Sequence, residues 1–205
     1  MAGFVNKFYS LGYNVLAADA RAHGDSEGTK IGMGWPERFD VIEWIKLIIS
    51  WEPNAQIILH GVSMGAATVL MASGEELPEN VKAIIADCGY TSEWDEFKCE
   101  ANALHIPWFP VLNAASVMSR LRDGYDFKQA SALEKVKQSR IPTLFIHGSD
   151  DELVPYSMLD KLYSAAVCKK ECLTVNGAGH ALSSSVEPEL YWNTVESFIE
   201  KYSEK

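Results

Sequence analysis

Short apolar runs rich in valine and isoleucine, separated by longer helical patterns, constrain the fold of this 205-residue chain more than any other feature. The runs predict strands at residues 13–19, 56–61, 81–87, 143–148 and 171–176. Their nearly unbroken hydrophobicity is typical of strands covered on both faces, as in a parallel sheet. Helical patterns lie between them, at residues 4–11, 36–51, 64–73, 156–167 and 188–202. This alternation predicts an α/β fold with a doubly wound, mostly parallel sheet.

A stretch of about fifty residues, 90–139, interrupts this rhythm where a short connection between strands would suffice. It contains a cluster of aromatic residues and proline, W-F-P, at 108–110. We expect one domain over residues 1–205, with 90–139 as a small helical insertion. Two interpretations stay open for the insertion, a cap over a pocket and an ordinary pair of surface helices.

The charge balance constrains the partners. The chain has 28 acidic and 18 basic residues, a net charge of −10, which argues against binding to nucleic acid or to an anionic membrane. No apolar run reaches the roughly 18 residues that a membrane-spanning helix needs. The N-terminus lacks the apolar region of a secretory signal, so the expected location is the cytoplasm.

The four cysteines, at 88, 99, 168 and 172, lack the C-x2-C pairing of zinc sites. We therefore expect free thiols and no metal. Cys88 ends a strand-like run and is predicted to be a small core residue rather than a nucleophile.

Two segments match G-x-S-x-G, a pattern that is informative where a buried strand meets a helix, because its glycines allow a sharp turn that exposes the serine hydroxyl. In the segment at 24–28 the strand has already ended and two acids flank Ser26, which would oppose a developing alkoxide. The segment at 61–65 follows a predicted strand directly and leads into a predicted helix. Ser63 is therefore the candidate nucleophile.

A serine hydroxyl needs a base, and histidine is suited to that role near neutral pH. His180 follows the last predicted strand, in the turn N-G-A-G-H at 176–180. The other four are assigned structural positions: His23, His60, His105 and His147.

The imidazole in turn needs a carboxylate to fix its tautomer. Three acids crowd the turn S-D-D-E-L-V-P at 149–155, and Asp87 also lies at a strand end. Spacing alone does not choose among them.

At this point the chain resembles an α/β-hydrolase over essentially its whole length, with Ser63, an acid and His180 in the chain order of that superfamily. The segment D-A-R-A-H-G-D-S at 19–26 resembles the D-x-R-G-H-G-x-S loop of the family, with Ala22 in place of the usual glycine. The segment at 147–155 resembles H-G-x-x-D-x-x-V-P, which implies that Asp151, rather than Asp150, is the acid.

The resemblance is closest to bacterial esterases and prolyl-oligopeptidase-like hydrolases. It implies a serine hydrolase in which Ser63 attacks an acyl carbonyl, His180 acts as base and then acid, and Asp151 orients it. The backbone N–H of Met64 would bind the oxyanion. The implied partner is a small-molecule acyl substrate, an ester before a peptide or thioester, with no cofactor. The alternative is a non-catalytic relative that lacks a complete oxyanion hole.

One departure from the family concerns the beginning of the chain. Family members usually start with two or three further strands and an H-G loop that supplies the second oxyanion N–H. Three alternatives stay open: the chain is a fragment of a longer product, a partner strand fills the space by self-association through the incomplete sheet, or strands 13–19 and 56–61 pair directly.

Overall fold

A parallel sheet of four strands organises the computed structural model, which describes residues 1–203. In both spatial and chain order the strands are β1 (Ile57–Val62), β2 (Val81–Asp87), β3 (Thr143–Gly148) and β4 (Lys170–Val175). All neighbouring pairs are parallel, so the carboxyl ends of the four strands lie at one edge. The predicted α/β fold and four of the five predicted strands are confirmed.

Nine helices are present among the described residues, and they include all five helical patterns predicted from the sequence. They are α1 (Ala2–Ser10), α2 (Glu37–Trp51), α3 (Met64–Ala72), α4 (Glu93–Ala103), α5 (Trp108–Asp123), α6 (Ala132–Val136), α7 (Ser157–Ala165), α8 (Ser183–Val186) and α9 (Pro188–Tyr202). Helix α3 packs on β1 and β2, and α9 packs on β2 and β4. No helix in residues 1–203 has the length and apolar character needed to cross a bilayer.

The core lies between the central strands and these helices. Every residue of β3 is buried, as is every residue of β2 except Lys82. Leu70 of α3, Ile84 of β2 and Phe145 of β3 belong to one hydrophobic cluster and are almost fully buried. This burial on both faces is the physical reason why the central strands have unbroken apolar sequences.

The predicted strand at 13–19 is wrong. The segment belongs to a separate compact unit, Met1–Ile31, and forms no strand. Its apolar side chains Val15 and Leu16 are 37% and 39% exposed, so the segment lacks the burial that its apolar pattern implied. A strand also needs a hydrogen-bonded neighbour. The expectation that this segment pairs directly with residues 56–61 is therefore wrong as well.

The loop that follows has its own hydrogen bonds. The Asp25 N–H donates to the Asp19 carboxylate at 3.1 Å, and Ser26 Oγ donates to the Asp19 carbonyl at 2.7 Å. Ala22, which stands where the family has glycine, has a φ of 61°. This left-handed conformation is the one that glycine adopts without strain.

Residues 90–139 contain helices α4, α5 and α6 between β2 and β3. An antiparallel bridge between Ser92 and Ser131 joins the two ends of the stretch. The same two serines cap α4 and α6, accepting the backbone N–H groups of Asp95 and Glu134. Capping serines stabilise helix starts by satisfying N–H groups that have no partner within the helix.

Candidate active site

Ser63 lies in a strained turn between β1 and α3. Its φ of 55° and ψ of −118° fall outside the regions that non-glycine residues prefer. Such strain costs on the order of 1–3 kcal/mol and persists where the surrounding structure enforces it. A Cβ at position 61 would lie 2.2 Å from the Gly65 carbonyl oxygen, so glycine at position 61 is needed for the close approach of the strand end and the helix start. A Cβ at Gly65 would meet no atom within 4 Å.

His180 faces this serine. Its Nε2 lies 2.8 Å from Ser63 Oγ. The turn that carries His180 lies against the end of β3. The approach is so close that a Cβ added at Gly148 would come within 2.1 Å of the Ala178 carbonyl oxygen. The Asp150 N–H donates to that same oxygen at 3.0 Å.

Asp151 completes a chain of hydrogen bonds. Its Oδ2 accepts from His180 Nδ1 at 2.8 Å, and its Oδ1 accepts the backbone N–H groups of Leu153 and Val154 at 3.0 and 2.9 Å. Asp150 instead points its exposed carboxylate at Ser149 Oγ, 2.6 Å away. The structure thus brings together Ser63, His180 and Asp151, and it leaves Asp150 to the turn.

The pKa shifts of Asp151 and His180 suit a histidine base that is held by a carboxylate anion. Burial acts to raise the pKa of Asp151, but hydrogen bonds from His147, His180 and the Val154 N–H outweigh it and hold the pKa well below the usual range. The hydrogen bond to Asp151 raises the pKa of His180 above its usual value, against the effect of burial. Asp151 is therefore charged at neutral pH and favours the protonated form of His180.

Met64 remains the predicted oxyanion donor. It is the first residue of α3, and the first N–H groups of a helix have no partner within that helix. The partial positive charge of a helix N-terminus also favours a nearby oxyanion.

His147 is a neighbour of the acid that the sequence reasoning treated only as structural. It is fully buried, and its Nε2 lies 2.9 Å from the Val154 carbonyl oxygen and 3.3 Å from Asp151 Oδ2. One imidazole thus joins the acid to the far end of its own turn. Its position four residues before Asp151 in the H-G-x-x-D pattern was the signal in the sequence.

Replacing His147 with methionine should lower both stability and activity. The Val154 carbonyl would lose its donor, at a cost of about 1–3 kcal/mol, and Asp151 would lose one contact that positions it. Glutamine places an amide N–H near the Nε2 position, so His147→Gln should recover part of both losses. Urea unfolding measures the loss of stability, and kcat for ester hydrolysis measures the loss of activity. Equal kcat values for His147→Met and the wild type would contradict a positioning role.

Three further buried carboxyl groups lie outside this set of hydrogen bonds. Burial raises the pKa of Asp87 to about 6, of Glu93 to about 8 and of Glu96 to about 7. The carboxylates of Glu37 and Asp123 raise the Glu93 pKa further. Among residues 1–203, Glu93 Oε2 and Glu96 Oε2 have no hydrogen-bond partner. Such groups favour the neutral acid, and ionising them opposes folding.

Stability should therefore fall as pH rises from about 5 to about 8. In this window the unfolded chain has released the Glu93 proton while the folded chain retains it, because its folded-state pKa is about 8, so the free energy of unfolding decreases with pH. Glu93→Gln should flatten this dependence. Thermal unfolding across the window measures it, with the exposed Glu43→Gln as the control. Parallel pH curves for Glu93→Gln and the wild type would contradict the prediction.

Cys88 lies close to the acid and the base. Its sulfur, an Asp151 oxygen and a His180 nitrogen all lie within 4.8 Å of one another, a donor set that suits a soft divalent metal. Asp151 and His180 already bond to each other, however, and burial raises the pKa of the Cys88 thiol, which keeps the sulfur protonated. We assign no metal here. Cys88 is buried as predicted, and the four cysteines are free thiols.

Comparisons with known proteins agree with this fold. A model of the prolyl oligopeptidase family matches residues 7–205. The protein YqkD of Bacillus subtilis is 30% identical over 203 residues, which cover 98% of this chain and 67% of YqkD. The lysophosphatidylserine lipase ABHD12 of Macaca fascicularis is 31% identical over 158 residues, 77% of this chain and 39% of the lipase. The Pyrococcus furiosus esterase Pf2001 has the same fold, with a TM-score of 0.79 at 24% identity, over 98% of this chain and 75% of the esterase.

Proposed function

The chain belongs to the prolyl oligopeptidase family of α/β-hydrolases, and on that premise we propose that it is a serine hydrolase that cleaves carboxylic esters. The observation that supports this most directly is the continuous set of hydrogen bonds from Ser63 through His180 to Asp151, each 2.8 Å long. A hydroxyl, an imidazole and a buried carboxylate in this order are what nucleophilic acyl transfer requires.

In the proposed mechanism, Ser63 Oγ attacks the ester carbonyl carbon while His180 Nε2 takes its proton. The carbonyl oxygen becomes an oxyanion that accepts a hydrogen bond from the Met64 N–H. The intermediate collapses, the C–O bond to the alcohol breaks, and His180 donates its proton to the leaving alkoxide. Water then attacks the acyl-enzyme with His180 as base, which releases the acid and restores Ser63.

Two of the similar proteins favour esters over peptides and thioesters as substrates, whereas the family itself is named for a peptidase. One is named as a lipase and one as an esterase, and both of these names refer to ester hydrolysis. The chain spans only 39% of the lipase, so the substrate of that whole protein is not transferred to it. The proposed substrate class is a small-molecule carboxylic ester, and the cytoplasmic location stays a prediction.

A fluorophosphonate probe and a matched substrate panel test the proposal. The probe reacts covalently with activated serines, so it should label the wild type at Ser63 and leave Ser63→Ala unlabelled. Hydrolysis of p-nitrophenyl butyrate should exceed that of the matching thioester and of a p-nitroanilide. Failure to label the folded protein would instead favour the non-catalytic alternative, and faster anilide cleavage would favour a peptidase.

A further inference from the structure

Helix α5 has its apolar and polar faces reversed relative to an ordinary surface helix. The face packed against the protein has Leu112 and two serines, Ser116 and Ser119, at spacings of four and three residues. Both serines are satisfied there, since Ser116 Oγ accepts the Phe127 N–H and Ser119 Oγ donates to the Tyr125 carbonyl. A surface helix normally buries its aliphatic side chains and exposes its serines.

The opposite face of α5 is apolar and exposed. Val111, Val117, Met118 and Leu121 are 61%, 58%, 60% and 78% exposed. We call these four residues the α5 stripe; Val111, Met118 and Leu121 recur at the helical spacing of seven and three. Phe109, just before the stripe, is 66% exposed. An exposed apolar surface this concentrated on one helix marks an interaction site more often than a random feature.

Basic side chains flank the stripe, and each is paired with a single carboxylate. None of the 28 acidic residues of the chain lies between Ala101 and Arg122. Arg120 and Arg122 flank the stripe, with side chains 73% and 67% exposed, and their partners Asp126 and Asp123 lie at 3.7 and 3.3 Å. An exposed single ion pair leaves most of the five guanidinium N–H donors directed at solvent.

We propose that the α5 stripe is a docking surface for an anionic phospholipid bilayer. An apolar helix face flanked by arginines, with an aromatic side chain at one end, is what interfacial helices present to lipid. The apolar side chains would enter the acyl boundary while Arg120 and Arg122 bind phosphate oxygens, which match the planar guanidinium. The net charge of −10, which argued against such a membrane, is an average over the chain, whereas the nearest acids along the chain after Arg122, Asp123 and Asp126, are each paired with an arginine.

A second copy of the chain fits the surface less well. Symmetric association would place one α5 stripe against another, since both copies use the same patch. The carboxylates at that end of α5, Asp123 and Asp126, are already paired with Arg122 and Arg120 of the same copy, so they offer little to the arginines of an opposing copy. A phospholipid surface supplies both the apolar layer and further anions for the guanidinium donors that a single carboxylate leaves unused.

Vesicle co-sedimentation tests the proposal and requires no enzyme activity, so it is independent of the proposed function. The wild type should bind vesicles of phosphatidylcholine with about one-third phosphatidylglycerol more tightly than vesicles of phosphatidylcholine alone. The double variant with Arg120→Ala and Arg122→Ala, which removes both charges, should bind the anionic vesicles about 30-fold more weakly. Removing apolar area, in Met118→Ser with Leu121→Ser, should weaken binding to both vesicle types by at least about 10-fold.

The controls change exposed residues of the same chemical types outside α5. Val167→Ser and Leu190→Ser remove apolar side chains that are 68% and 46% exposed, and Lys46→Ala with Lys137→Ala removes two exposed charges. These variants should bind vesicles as the wild type does. No binding of the wild type, or equal loss in the controls, would overturn the proposal. So would a wild-type dimer in sedimentation velocity that the Met118 and Leu121 substitutions convert to a monomer, because the occupant would then be a second copy.

Discussion

Ser63→Ala is expected to abolish hydrolysis of p-nitrophenyl butyrate, with a loss in kcat of up to about 10⁶-fold. The hydroxyl is the nucleophile of the proposed mechanism, and its hydrogen bond to His180 Nε2 at 2.8 Å is the contact that activates it. The melting temperature should change little, because alanine keeps the Cβ and so carries the same cost at a φ of 55°. Steady-state kinetics and thermal unfolding of the purified variant measure both.

Ser26→Ala is the matched control, because Ser26 occupies the other G-x-S-x-G segment. Its Oγ donates to the Asp19 carbonyl rather than to a histidine. We expect wild-type kcat for this variant. Substantial residual activity in Ser63→Ala would remove Ser63 from the mechanism, and an equal loss in Ser26→Ala would return the nucleophile to the 24–28 segment.

Asp151→Asn is expected to lower kcat by about 10⁴-fold. The carboxylate holds His180 through Nδ1, so that Nε2 is free to accept the Ser63 proton, and an amide does not favour that tautomer or the charged imidazole. The variant should also move the acid limb of the pH–rate profile to lower pH, because the hydrogen bond to Asp151 is the main cause of the raised His180 pKa. Values of kcat across pH measure both effects.

Asp150→Asn is the control from the same turn. Asp150 is exposed and bonds to Ser149 Oγ, so its substitution should change kcat by less than about 2-fold. A larger loss for Asp150→Asn than for Asp151→Asn would reverse the assignment. An unshifted acid limb in Asp151→Asn would mean that another group sets the His180 pKa.

The sequence predicted the buried elements better than the exposed ones. Strands β2 and β3 are covered on both faces, so their apolar runs report burial directly. Residues 13–19 have a similar pattern and form no strand, because β-structure depends on a neighbour that a local pattern does not reveal. Local signals, chiefly periodicity with glycine and proline at the ends, were sufficient for five of the nine helices among the described residues.

For the candidate site, the sequence pointed to residues that follow strand ends and missed the neighbours that tertiary contacts place beside them. Ser63, Asp151 and His180 each follow a strand, and parallel strands bring such residues to one edge. The place of His147 beside Asp151 depends on the way the 151–154 turn folds back. Glu93 and Glu96 lie in the first turn of α4, and the packing of that helix buries both. Burial of a single side chain within an amphipathic helix is a property of the whole fold.

The contact between Gly148 and Ala178 restricts how this site can diverge. Gly148 ends the strand before the Asp151 turn and Ala178 lies in the turn that carries His180, so any side chain at position 148 would push the two turns apart. A library that randomises position 148 would therefore yield inactive members even though this residue touches none of the reacting atoms. Positions where an added Cβ would meet open space, such as Gly65, leave more room for substitutions that change the substrate specificity. Backbone proximity, and not chemistry alone, thus limits which variants selection can sample.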